Sequence, residues 1–99
     1  MDKEQAIKLV KQYKEIIMPR FNNKAQVYMY GSYSKGNQRP ESDIDVAVVV
    51  PELNGDFWMT LTKLWTASRK VSTLIEPVLI EERNPSPLYE DILQTGIAI

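Results

Sequence analysis

Ten residues separate Gly31-Ser32 from Asp43-Ile44-Asp45, and this pattern constrains the chain more than any other feature. A Gly-Ser pair at the end of a strand can turn the backbone into a helix, presenting N–H groups and a hydroxyl to phosphate oxygens. Two aspartates at i and i+2 on a strand point to one face, roughly 6.5–7 Å apart along the backbone. Their carboxylates can then converge on a pair of divalent metals about 3.5–4 Å apart. In isolation Gly31-Ser32 also fits an ordinary strand-to-helix turn with Ser32 as N-cap, and each aspartate fits a strand end reaching solvent. The combination is specific, because at average residue usage it arises by chance in about one chain of this length in a thousand. A phosphate cradle beside a two-carboxylate platform reads as nucleotidyl transfer.

Composition narrows the chemistry further. The chain has no cysteine, which removes disulfides, thiolate nucleophiles and cysteine-ligated zinc together. It has no histidine, which excludes Ser-His-Asp catalysis and imidazole bases or ligands. Carboxylates, hydroxyls, amines and an oxygen-ligated metal such as Mg²⁺ or Mn²⁺ remain. A net charge of −1 gives no global positive field, so strong nucleic-acid binding is not expected. At 99 residues and 43% hydrophobic content, a single domain over residues 1–99 with its own core is expected. The first twenty residues are charged throughout and the longest apolar run, Val46 to Val50, is too short for a bilayer, so a cytoplasmic, membrane-free protein is expected.

Along the chain, Asp2 can cap a first helix, with Gln5 as the return half of a capping box. Ala6, Leu9, Val10, Tyr13, Ile16 and Ile17 repeat at helical spacing, with lysines opposite, and the helix should stop before Pro19. Residues 20–25 read as a polar loop and Gln26–Tyr30 as a strand leading into Gly31. Ser32–Lys35 is one helical turn closed by Gly36. Asp43–Val50 is strand-like with apolar residues on both parities beyond Asp45, which predicts a central strand covered on both faces. Asp56 can cap a helix to about Lys70, its inward face lined by Phe57, Leu61, Leu64, Trp65 and Ser68. Ser72–Ile80 reads as a third strand, placed at an edge by Pro77, and Leu88–Gln94 as a last helix ended by Gly96. The predicted fold class is α/β (α+β), with a small mixed sheet of at least three strands flanked by helices.

The stretches Gly31-Ser32-Tyr33-Ser34-Lys35-Gly36 and Ser42-Asp43-Ile44-Asp45-Val46-Ala47-Val48-Val49 resemble the signature of the minimal nucleotidyltransferases of the DNA polymerase β-like superfamily. The order of elements resembles the family over essentially the whole chain. The resemblance implies a third carboxylate on the neighbouring strand, matched best by Glu76. The residue pattern agrees, because an acid inside the apolar run Leu74–Val78 is costly when unpaired; a solvent-facing edge residue is its other reading. Many relatives carry aspartate there, one methylene shorter. Glu81 and Glu82 read as a solvated cluster at the strand end.

What the resemblance implies is a Mg-dependent transfer of a nucleoside monophosphate, AMP from ATP, to an acceptor hydroxyl. Asp43, Asp45 and Glu76 are then the catalytic and metal-binding residues, for two Mg²⁺ ions or Mn²⁺. Gly31 and Ser32 cradle the nucleotide phosphates. Lys35 and Arg39 are candidates to neutralise phosphate oxygens, with a solvated loop charge as the alternative for each. The family is commonly paired with a helical HEPN-type toxin, which implies a partner-protein tyrosine as acceptor and an antitoxin role. Two other readings stand beside it: a binding module that neutralises a partner by contact alone, and a small-molecule (antibiotic) nucleotidyltransferase. Ser42 is expected to make a backbone hydrogen bond before its strand. Trp65 is expected in the core, and Trp58 fits either the apolar helix face or a partner surface.

Overall fold

In the computed structural model, which describes residues 1–99, the first helix begins at a reciprocal cap. The Asp2 carboxylate accepts the Gln5 N–H at 2.8 Å and the Gln5 side chain accepts the Asp2 N–H at 3.0 Å, so two orphan donors are satisfied at once. Helix α1 (Lys3–Ile17) passes into a 3-10 turn, Met18–Phe21, because Pro19 lacks the N–H that would extend the ladder. That turn occupies the start of the segment expected to be a loop. Ala6, Val10, Tyr13 and Ile17 are buried. Ile16, expected beside them, lies at the margin of that stripe and is 38% exposed.

The remaining elements are β1 (Gln26–Tyr30), α2 (Ser32–Lys35), β2 (Ile44–Val50), α3 (Phe57–Ser68), β3 (Ile75–Glu81), α4 (Leu88–Thr95) and β4 (Ile97–Ala98). They form a four-stranded mixed sheet in the order β3-β2-β1-β4. β2 runs parallel to β3 and antiparallel to β1, and β4 pairs antiparallel with β1. The third strand starts three residues later than expected, since Ser72 N–H and Val71 N–H are spent on turns closing α3 at Ser68. The fourth strand is too short to leave a period in the sequence.

β2 is covered on both faces, as its double-parity apolar run requires. Val46, Val48 and Val50 join α1 and α3 in the larger core; Ala47 and Val49 join Ile80 and Ile92 of α4 in a smaller one. Tyr13 donates its buried hydroxyl to the Leu64 carbonyl at 2.7 Å, tying α1 to α3 beneath the sheet. Pro77 lies in an edge strand. The Leu74 carbonyl and the Glu82 N–H, both even-numbered, bond to β2, so the odd-numbered Pro77 turns its missing donor outward at no cost to the ladder.

Candidate active site

Antiparallel pairing of β1 with β2 sets Tyr30 opposite Asp45, and parallel pairing of β2 with β3 sets Glu76 beside Asp45. Side chains alternate along a strand, so Asp43, Asp45 and Glu76 share the sheet face that carries Ala47, Val49 and Ile80. The site is therefore one end of the sheet: the exit of β1 and the entries of β2 and β3. Glu81, at the far end of β3 against Val50, belongs to the other end, where it accepts the Leu53 N–H at 3.1 Å.

Gly31 follows β1 with φ 74° and ψ −145°, a region essentially closed to residues with a Cβ. Its α-carbon packs against the Asp45 carboxylate, and a Cβ built there would collide with Asp45 Oδ2. The two halves of the sequence pattern thus interlock: the turn needs glycine because the aspartate occupies the side-chain position. Gly31, not Ser32, is the N-cap of α2, and no side-chain cap bond is made. Ser32 is the first helical residue and its hydroxyl is not used as the cap, which corrects the plain N-cap reading. The Gly31 carbonyl accepts the Ser34 hydroxyl at 3.0 Å and the Lys35 N–H at 3.1 Å. Buried Tyr33 anchors the short helix in the larger core.

The electrostatics record uncompensated negative charge. The Asp45 carboxyl is held above its ordinary range, first by burial and then by the charge of Asp43. Glu76 is also raised, by burial first, then by the charge and close approach of Asp43, and by Asp45; Arg69 opposes the rise. Burial, then Asp45 and Glu76, push the Tyr30 hydroxyl up to about 12, so it stays protonated at neutral pH. No three acidic side chains are gathered around a single cation-sized point. The donor chemistry nevertheless fits a hard divalent cation, because the cluster offers carboxylate oxygens and their mutual repulsion holds Asp45 and Glu76 above their ordinary range.

The basic residues expected at the site are arranged differently from one another. Lys35, in the last turn of α2, faces Asp91 of α4 at 3.7 Å, with both side chains nearly half exposed. Arg39 has an exposed side chain; its N–H donates to the Ser42 hydroxyl at 2.7 Å and its carbonyl accepts the Ser42 N–H, the backbone role expected of Ser42. Two residues act on the cluster that the sequence reading did not single out. Tyr30 was findable, since a strand ending at Gly31 and returning at Asp45 sets the preceding residue opposite the acid. Arg69 carried no such signal: it follows α3, donates to the Thr73 carbonyl at 2.6 Å and covers Trp65 at 5.1 Å from its ring. Trp65 is accordingly half-buried rather than in the core, and Trp58 is 71% exposed.

The family described as polymerase beta nucleotidyltransferase matches residues 4–99. A candidate protein adenylyltransferase of Methanocaldococcus jannaschii is 27% identical over 101 residues, covering 94% of this chain and 97% of its own. The crystal structure of a candidate nucleotidyltransferase from Sulfolobus solfataricus superposes with a TM-score of 0.70 at 21% identity, over 97% of this chain and 80% of that one. A toxin–antitoxin structure solved with AMP-PNP gives a TM-score of 0.55 at 24% identity, over 99% and 72%. The four-stranded mixed sheet flanked by helices is the nucleotidyltransferase fold.

Proposed function

Since the chain belongs to the polymerase β nucleotidyltransferase family, we propose that it moves AMP from ATP to a tyrosine hydroxyl of a partner protein, as the antitoxin of a HEPN-type toxin. The observation that carries the reading is the convergence of Asp43, Asp45 and Glu76 on one end of the sheet, with Gly31 pressed against Asp45. The name of the M. jannaschii relative supports a protein acceptor, and the likeness to a toxin–antitoxin structure supports the pairing.

Asp43, Asp45 and Glu76 would hold the divalent metal. When bound, Mg²⁺ or Mn²⁺ supplies the positive charge that offsets the triphosphate and the charge developing on the transferred phosphoryl group. The chain's own residues orient the reactants. The N–H groups at the start of α2, with the Ser32 hydroxyl, face phosphate oxygens. Glu76, a raised carboxyl, takes the proton of the attacking hydroxyl, a role that no imidazole is present to fill. Attack on the α phosphate then expels pyrophosphate. Protonated Tyr30 can donate a hydrogen bond within the cluster and hold a carboxylate in place.

Incubation with Mg²⁺, α-labelled ATP and candidate acceptor proteins tests the reading. Label should appear on a partner tyrosine and disappear with Asp43→Asn. A wild-type chain that transfers nothing, while it and the mutant both bind the partner, would reassign the protein as a contact-only module. Labelling of an aminoglycoside by the isolated chain would instead favour a small-molecule enzyme.

A further inference from the structure

At the end of the sheet remote from the carboxylates, a cleft of about 560 Å³ opens between the turn after α1, the loop after β2 and the middle of α3. Arg20, Lys24 and Lys63 line it, all three exposed and none within ion-pair distance of a carboxylate. The single acid in the lining, Glu52, is held by Arg83 at 2.6 Å. Neutral donors stand among the cations: Asn22, Asn54 and Thr60. Phe21 and Leu53 supply an apolar flank. Two segments distant in sequence, residues 20–24 and α3, thus bring three like charges to one concavity, which is unfavourable unless an anion answers them.

We infer that this cleft is a second ligand site, distinct from the acidic centre, for a di- or triphosphate group. A phosphate chain carries several negative charges in one compact ligand, whereas carboxylate side chains bring one each. The volume lies within the range of small-molecule sites, roughly 300–1,000 Å³. Arg20 can take phosphate oxygens through its planar fork, and the two lysines act as mobile point charges. The apolar flank leaves room for an organic group, so the phosphates can arrive free or as the tail of a nucleotide. Binding here requires no divalent metal, which separates the two sites by experiment.

The test is an amide NMR titration of the ¹⁵N-labelled chain in EDTA at low ionic strength, with sodium triphosphate and, separately, ATP. Saturable shifts are expected at Arg20, Asn22, Lys24, Asn54 and Lys63, with Gly31–Gly36 unmoved. Arg20→Glu and Lys63→Glu should each weaken binding about tenfold or more, while Lys70→Glu, on α3's exposed C-terminal flank outside the cleft, should leave it unchanged. Additional shifts at Phe21 and Leu53 with ATP alone identify a nucleotide; identical shifts with both probes identify the free phosphate chain. The proposal fails if triphosphate causes no shifts, shifts spread without saturation over every lysine, or shifts confined to Gly31–Gly36. It fails equally if the cleft residues respond to a poly-glutamate peptide and not to triphosphate, which would make the cleft a protein-docking surface. Thermal melts of the two cleft variants, both at exposed positions, confirm that each compared chain is folded.

Discussion

Replacing Gly31 by alanine separates the two demands made on that position. The backbone there has φ 74°, and the new Cβ would press on the Asp45 carboxylate. The expected outcome is a loss of about 1–3 kcal/mol in chemical denaturation together with loss of transfer activity. An Asp45→Ala, Gly31→Ala double variant should recover part of the stability and none of the activity, because only the collision is relieved. Asp43→Asn makes the opposite pairing of effects. It removes the charge that raises both Asp45 and Glu76, so the metal-free chain should gain up to about 1 kcal/mol in the same assay while transfer is abolished. A destabilised Asp43→Asn chain would mean that the acidic cluster is not under repulsion. At this scale the sequence was most legible: glycine's backbone freedom and the two-residue period of a strand are local properties, and they located Gly31, Asp43 and Asp45. Arg69 was not legible, because its influence on Glu76 arises only once α3 packs against β3.

Elements meet through a few specific bonds. The Tyr13 hydroxyl joins α1 to the Leu64 carbonyl within the core. Tyr13→Phe should cost about 1 kcal/mol by urea denaturation, with the slope unchanged, since it removes one buried bond and adds no cavity. Lys14 belongs to the lysine face of α1 that reads as plain solvated surface. In the fold it is half-buried, and its Nζ donates to the Ile99 carbonyl at 2.7 Å, holding the segment that carries β4. Helix identity followed from caps and periodicity, and Asp2, Asp56 and the stop before Pro19 all act as their residue types dictate. β4 did not follow, because two residues have no period; their strand character comes from pairing with Tyr28 and Met29. Trp65 illustrates the same limit. Helical spacing put it inward, but Arg69 stacking on the ring satisfies it at the boundary.

Over the whole molecule, the acidic cluster should govern how stability varies with pH. Asp45 and Glu76 both have raised pKa values in the fold. The folded state therefore holds more protons than the unfolded one in the interval above the ordinary carboxylate range, and stability falls as pH rises through it. In EDTA, melting temperature should be higher near pH 5 than near pH 7.5, as far as these two groups decide it. Mg²⁺ should raise the melting temperature at pH 7.5 and flatten that slope, because it stabilises the ionised form. A melting temperature indifferent to Mg²⁺ at both pH values would argue against cation binding by these carboxylates. No helix is long and apolar enough to cross a membrane.

The amino-acid sequence by itself determined the helices, the central two-faced strand, the edge position of Pro77 and the Gly-Ser and Asp-x-Asp pattern at one end of the sheet. Each of these rests on backbone preference or side-chain period, which act within a few residues. The tertiary structure decided which acid stands beside Asp45, which cation's charge acts on that acid, how Lys35 is paired and that Arg20, Lys24 and Lys63 share a cleft. Those are contacts between segments distant in sequence, and only strand register and helix packing bring them within reach.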